Sequence, residues 1–311
     1  MGRRRKGNIV NGWINLGKPP EMSSSDAVNI VRRTLNAQKA GHGGTLDPLA
    51  TGILPIALGE ATKTIPYCQD HLKTYSFTVI WGEARDTDDA EGEVIETSPH
   101  RPSEQEILDI LPRFTGNIQQ IPPQYSAIKV DGERAYDLAR EGVELELASR
   151  PVYIEALDLV EAGLDSARFL CICGKGTYMR SLARDMAKAL GTAGYIAGLR
   201  REAVGPFTLE NSISLAKLKE ISDIAPLEDV LLPIETVLDD IPALALNERE
   251  AAQLKNGQKL LFISRPDVDR LYRAGLNPET DATALAVYNG KPIALVMVEG
   301  AEISPVRVLN L

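Results

Sequence analysis

The segment Gly41-His42-Gly43-Gly44-Thr45-Leu46-Asp47-Pro48-Leu49-Ala50-Thr51-Gly52 presents a single carboxylate on a glycine-rich loop. Four glycines in these twelve residues let the backbone pass close to a ligand or take positive φ, where a Cβ would clash. A carboxylate held on such a loop can act as a nucleophile or a base. Pro48 fixes the chain directly after it. The same Asp-Pro pair also suits a helix start, with Asp47 as cap and Pro48 in the first position, where its missing N–H costs nothing. Metal chemistry finds no support, because His42, His71 and His100 do not stand at ligand intervals. Cys171 and Cys173, one residue apart on a strand, share a face and read as small core residues. Three cysteines are too few for a disulfide framework, which fits a reducing cytoplasm.

Elements that position the loop can be read on either side of it. Ala27, Ile30, Val31 and Leu35 recur at helical spacing, predicting a helix over 25–38 capped by Ser24 or Ser25. From Thr74 to Gly82 the chain alternates, so Tyr75, Phe77, Val79 and Trp81 share one strand face. Residues 83–104 read as an acidic connection with hairpin character at Ala90-Glu91-Gly92. Arg168–Cys173 reads as a strand apolar on both faces, hence buried. A helix from Thr177 to Leu190 follows, stopped by Gly191, with Met179, Leu182, Ala183, Met186 and Leu190 as its apolar stripe. Residues 234–242 look like a linker. Beyond them short alternating runs (Leu260–Phe262, Ala284–Tyr288, Ile293–Val298) and the Asn289-Gly290 turn signal predict a small β-rich module.

Several motifs in this order closely resemble the TruB family of tRNA pseudouridine synthases. Besides the Asp47 loop they are Asn15-Leu16-Gly17-Lys18-Pro19-Pro20-Glu21-Met22-Ser23-Ser24, Tyr125–Tyr136, Gly176–Leu182 and Leu199–Phe207. One departure is Glu21, where the family's first motif usually has glycine. The resemblance implies an α+β fold: a mixed, mostly antiparallel central sheet flanked by helices, plus a small β-rich C-terminal PUA-like domain. It divides the chain into a basic arm (1–8), a catalytic domain (9–236) with an RNA-clamping insertion (121–150), and an RNA-binding domain (242–311).

By the same resemblance the chain isomerises the uridine at position 55 in the TΨC loop of tRNA, a reaction that needs no cofactor or metal. Asp47 is the implied catalytic residue. Arg180 is its candidate partner, able to donate a forked pair of hydrogen bonds and to keep a buried carboxylate ionised. It falls in the first turn of its helix, where the dipole disfavours cations by about 0.3–1 kcal/mol, so a specific role must hold it there. A surface arginine that snorkels is the alternative. Tyr75 suits stacking on the target base, worth roughly 1–3 kcal/mol, and by resemblance serves proton transfer. Tyr178 and Leu199 map onto the uracil pocket and His42 onto a contact with the opened RNA loop. Lys18 and Lys63 are candidate phosphate contacts, or solvated lysines.

The net charge of −9 argues against nucleic acid until it is resolved along the chain. Residues 1–75 carry ten Lys/Arg against five Asp/Glu, and 171–210 six against three. Residues 76–170 carry eight against twenty, so the basic blocks are those holding the Asp47 loop and Arg180. No apolar run is long enough for a membrane helix and no signal peptide is evident. A cytoplasmic enzyme with no membrane association and no obligatory protein partner is expected. The rival is a non-catalytic RNA-binding or tRNA-folding protein on the same scaffold.

Overall fold

The computed structural model describes residues 7–126, 128–130, 133–134, 146–224 and 230–311. Most of the basic arm, and the interior of the 121–150 insertion, therefore lie outside the described residues. The N-terminal elements run β1 (Gly12–Lys18), α1 (Ser24–Thr34), β2 (Ala40–His42), β3 (Thr51–Leu58), α2 (Ile65–Asp70) and β4 (Lys73–Trp81). A β5–β6 hairpin (Glu83–Arg85, Val94–Thr97), α3 (Glu104–Ile110), β7 (Gly116–Gln120), and a short β8–β9 pair (Lys129–Val130, Glu133–Arg134) follow. Then come β10 (Arg150–Ala162), β11 (Ser166–Cys173), α4 (Met179–Ala189), β12 (Gly194–Val204), β13 (Phe207–Thr208), β14 (Ile213–Ser214) and α5 (Leu215–Ile224).

These strands make a ten-stranded sheet in the order β14-β1-β3-β12-β4-β11-β10-β7, with β2 on β3 and β13 on β12. The β1–β14 and β3–β12 pairs are parallel and the other pairs antiparallel, the mixed sheet that the family resemblance implies. The period-two rule explains how β3 serves two cores. Leu54, Ile56 and Leu58 face α1 and α4, while Ile53 and Ala57 face the opposite side. On the first side Phe77, Val79 and Trp81 of β4 pack with Phe169 of β11, the Phe77 and Phe169 rings stacked at 5.3 Å.

The helix over 25–38 is shorter than its pattern. Its cap is Ser23, whose side chain accepts from the Asp26 N–H, and it ends at Thr34. β11 is buried on one face only: Arg168 is exposed and Leu170 and Ile172 are half-covered, because among the described residues no layer packs fully on that side of this part of the sheet. Cys171 and Cys173 do share the buried face, as free thiols.

The C-terminal part holds β15 (Ala243–Ala245), α6 (Glu248–Lys255), β16 (Leu260–Leu261), α7 (Arg265–Arg273), β17 (Ala282–Tyr288), β18 (Lys291–Glu299) and β19 (Glu302–Val308). They form a five-stranded sheet, β15-β17-β18-β19-β16, with both helices packed on it. Asn289 and Gly290 both take positive φ (49° and 72°), the hairpin turn their sequence predicts. The segment 234–242 is no loose linker. It begins with a 3₁₀ turn, Ile234–Val237, and Ile234, Val237 and Leu238 are buried with Trp13, Phe207, Leu285 and Leu309 in one core.

Gly52, the second residue of β3, sits at φ 98°, and a Cβ there would overlap the backbone carbonyl of Arg201 across the β3–β12 pair. Gly52→Ala is expected to cost about 2–4 kcal/mol, combining a disfavoured φ with a strand forced outward. Urea unfolding reads this as a lower midpoint at unchanged slope; an unchanged midpoint refutes the tight β3–β12 approach.

Candidate active site

Asp47 is held by its neighbours. β2 leaves the sheet at His42, although Gly43 N–H still reaches the Pro55 carbonyl at 2.8 Å. Ser24, at the start of α1, donates its hydroxyl to the Leu46 carbonyl (2.9 Å) and accepts from the Leu46 N–H (2.8 Å). Lys18, at the end of β1, donates to the carbonyls of Pro19, Met22 and Pro48 at 2.9, 2.7 and 3.1 Å. The residues before and after Asp47 are thus each gripped by a buried side chain. No helix begins at Pro48: the chain makes a turn closed by Ala50 N–H on the Asp47 carbonyl. The capping alternative for Asp47 is thereby excluded.

The carboxylate faces α4. Gln120 fixes that helix's N-terminus, its amide oxygen accepting from Tyr178 N–H (2.8 Å) and its amide nitrogen donating to the Tyr178 carbonyl (3.1 Å). Two residues on, Arg180 is buried with its Nε 2.9 Å from Asp47 Oδ2. The contact is an ion pair whose N–H does not aim along a hydrogen bond. The fork predicted for Asp47 points elsewhere: Nη1 donates to the Thr87 carbonyl (3.0 Å) and Nη2 to the Tyr125 carbonyl (2.9 Å). Asp89 Oδ2 lies 3.6 Å from Nη1 as a second counter-charge. The helix dipole opposes this placement by about 0.3–1 kcal/mol. Burial of Leu182 and Met186 on the same helix contributes about 1.5–3 kcal/mol each, so packing wins and carries Arg180 inward.

Asp88 and Asp89, within the acidic 83–104 stretch that reads as a surface connection, are both buried. Burial pushes Asp88 up to about 6, opposed by Arg184, whose Nη1 lies 2.9 Å from it. Burial likewise raises Asp89, opposed by the Thr87 hydroxyl and by Arg180. The available signal was the pairing rule: carboxylates enclosed by a fold need cations, and Arg180 and Arg184 stand one helical turn apart.

Tyr75, half-buried, lies beside the loop through Arg201, whose Nη1 reaches the phenol oxygen at 3.5 Å. Burial raises the phenol's pKa, so the hydroxyl is protonated at neutral pH. Arg201, inside the Leu199–Phe207 motif, is a further residue that the fold brings to this loop. It also donates Nε to the Ile53 carbonyl (2.7 Å), Nη2 to Gly44 (3.1 Å) and Nη1 to Thr45 (3.3 Å). Leu199, buried two residues earlier, sits opposite Phe77 in the β12–β4 register. The Tyr178 ring carries the Arg150 guanidinium 5.0 Å from its centroid. His42 Nδ1 accepts from Gly44 N–H at 3.3 Å, and burial with Arg201 lowers its pKa, keeping the ring neutral.

Both candidate lysines have contacts within the fold, and for Lys18 these overturn the phosphate reading. Lys18 is enclosed and directs its ammonium at three carbonyls, so it has no path to a phosphate. Burial lowers its pKa to about 8, with Asp47 opposing and Arg201 reinforcing the shift. Lys63 pairs with Glu60 and donates to the Val308 carbonyl (2.7 Å), tying β19 to the segment after β3.

The mixed sheet, with the Asp47 loop and the buried Arg180 guanidinium beside it and Tyr75 on its central strand β4, belongs to a class: the pseudouridine synthase fold. Model matches agree, with the TruB family pseudouridylate synthase N-terminal domain over residues 32–179 and the tRNA pseudouridylate synthase B C-terminal domain over 180–239. The chain belongs to the TruB family and is a tRNA pseudouridine synthase. Among its relatives is tRNA pseudouridine synthase B of Rhodospirillum rubrum, 50% identical with all of both chains covered. That of Bradyrhizobium diazoefficiens is 52% identical over 99% of this chain and 88% of its own. A Cbf5–Nop10–Gar1 complex contains a similar fold, with TM-score 0.72 at 23% identity over 97% of this chain and 85% of that one.

Lys18→Met is expected to leave the salt dependence of RNA binding unchanged, whereas loss of a phosphate contact lowers the slope by about 1. It should cost about 1–3 kcal/mol of stability, because three carbonyls lose their donor. A reduced salt slope refutes the enclosed role of Lys18.

Proposed function

We propose that this enzyme converts the uridine at position 55 in the TΨC loop of tRNA to pseudouridine, with Asp47 as the nucleophile or base. The observation that carries this reading is the buried Arg180 guanidinium lying 2.9 Å from the Asp47 carboxylate. Arg180 places a fixed positive charge directly beside the Asp47 carboxylate. In the reaction the N1–C1′ bond breaks, the released uracil turns, and C5 bonds to C1′. The C5 proton then leaves while N1 gains one, so composition is unchanged and nothing is oxidised.

In this reading Tyr75 stacks on the extruded base, helping offset the few kcal/mol that unstacking costs. Leu199 and Tyr178 line the uracil, and neutral His42 meets the opened loop. The 9–236 domain does the chemistry, the 121–150 insertion grips the RNA, and the 242–311 domain binds further along it. Support comes from relatives of about 50% identity, named for tRNA, that match the chain from end to end. The enzyme acts in the cytoplasm, without an obligatory protein partner.

The test is tritium release from a TΨC stem-loop labelled at uridine C5. Wild type is expected to release it, and Asp47→Asn to abolish release while binding persists. Retention of about a tenth of the turnover removes Asp47 from the chemistry. Binding by wild type with no release leaves the tRNA-folding rival standing.

A further inference from the structure

Arg201 is a cation enclosed by the fold, 1% exposed. Among the described residues no carboxylate lies within ion-pair distance of it, a costly arrangement for a buried charge. Its field is instead met by oxygens. It donates to the Gly44 and Thr45 carbonyls on one flank of Asp47 and to the Ile53 carbonyl on the other. It therefore closes the loop into a hoop. Its remaining contact is the Tyr75 oxygen. A guanidinium carries only donors, so there the phenol must accept, and its single proton must point away from Arg201.

We propose that Arg201 is a positioning residue for the reaction, fixing both flanks of the Asp47 loop and turning the Tyr75 hydroxyl to donate into the cleft. The inference rests on the proposed roles of Asp47 and Tyr75. The fold explains why this arginine and not its neighbour takes the position. Side chains alternate along β12, so Arg200 is exposed where Arg201 is buried opposite Tyr75. A register shift between Arg201 and Ala203 marks the bulge that re-aims the strand there. Glycine at position 52 lets the Arg201 backbone come close to the base of the loop. Of the charged and titratable groups around Tyr75, Asp47 and Cys173 oppose phenol ionisation and Arg201 favours it.

The test is a double-mutant cycle of Arg201→Lys and Tyr75→Phe, read as single-turnover rate and affinity on the TΨC stem-loop. Arg201→Lys is expected to slow the rate about 100-fold or more, to change affinity less than about 3-fold and to keep cooperative melting. In the Tyr75→Phe background the same substitution should cost about 10-fold or less, because the hydroxyl it orients is gone. A rate within about 3-fold of wild type, or an equal loss in both backgrounds, overturns the proposal. Should Arg201→Lys fail to fold, Arg201→Gln decides in its place, since its amide keeps a donor on β12 without the guanidinium's reach to both flanks and the phenol. A loss of about 30-fold or more is expected, and a rate within about 3-fold of wild type overturns the role. Normal rates in these variants beside an inactive Asp47→Asn sink this inference and leave the activity standing. Absence of pseudouridine from the wild-type reaction sinks the activity itself.

Discussion

A buried guanidinium set between the carboxylates of Asp47 and Asp89 organises the N-terminal part of this molecule. A guanidinium offers only donors, so the fold must surround Arg180 with acceptors or lose the helix that carries it. Removing one member of a buried pair typically costs about 3–5 kcal/mol, because the survivor keeps an uncompensated charge. The surroundings follow from that requirement. The Thr87 carbonyl comes from the β5–β6 hairpin, the Tyr125 carbonyl from the root of the insertion, and the charge from Asp47 and Asp89. Three chain segments far apart in sequence therefore meet at one side chain.

Around this pair the loop is held by donors: Ser24 on Leu46, Lys18 on Pro48, and Arg201 on Gly44, Thr45 and Ile53. Each belongs to a regular element with its own buried face, so the loop inherits the rigidity of α1, β1 and β12. The C-terminal sheet adds support from the far side. Leu285, Leu295 and Leu309 share a core with Trp13 and Ile53, while Lys63 and Glu60 bind the backbone of Val308 and Asn310.

The sequence showed the elements with strong periodicity and hid what depends on three-dimensional pairing. The alternation of Tyr75, Phe77, Val79 and Trp81 marked β4 correctly, and the Met179–Leu190 stripe marked α4. Asn289-Gly290 identified its hairpin because few residue pairs tolerate two positive φ values. β11 was misread as buried on both faces, because composition cannot say whether a second layer covers a strand. Lys18 was misread as a phosphate contact, since a lysine's environment is set by carbonyls contributed from elsewhere. Arg201 stood in plain view within an Arg-Arg pair, but strand alternation alone does not say which of the two turns inward.

The central claim is that Arg180 acts as a shaped cation, bridging two carbonyls while it faces Asp47. The most direct test is the single-turnover rate of Arg180→Lys on a TΨC stem-loop, with binding measured in parallel. A lysine can supply the charge but not the three-sided contact, so the rate should fall about 100-fold or more at near-normal affinity. A rate within about 3-fold of wild type would show that charge alone suffices and contradict this account.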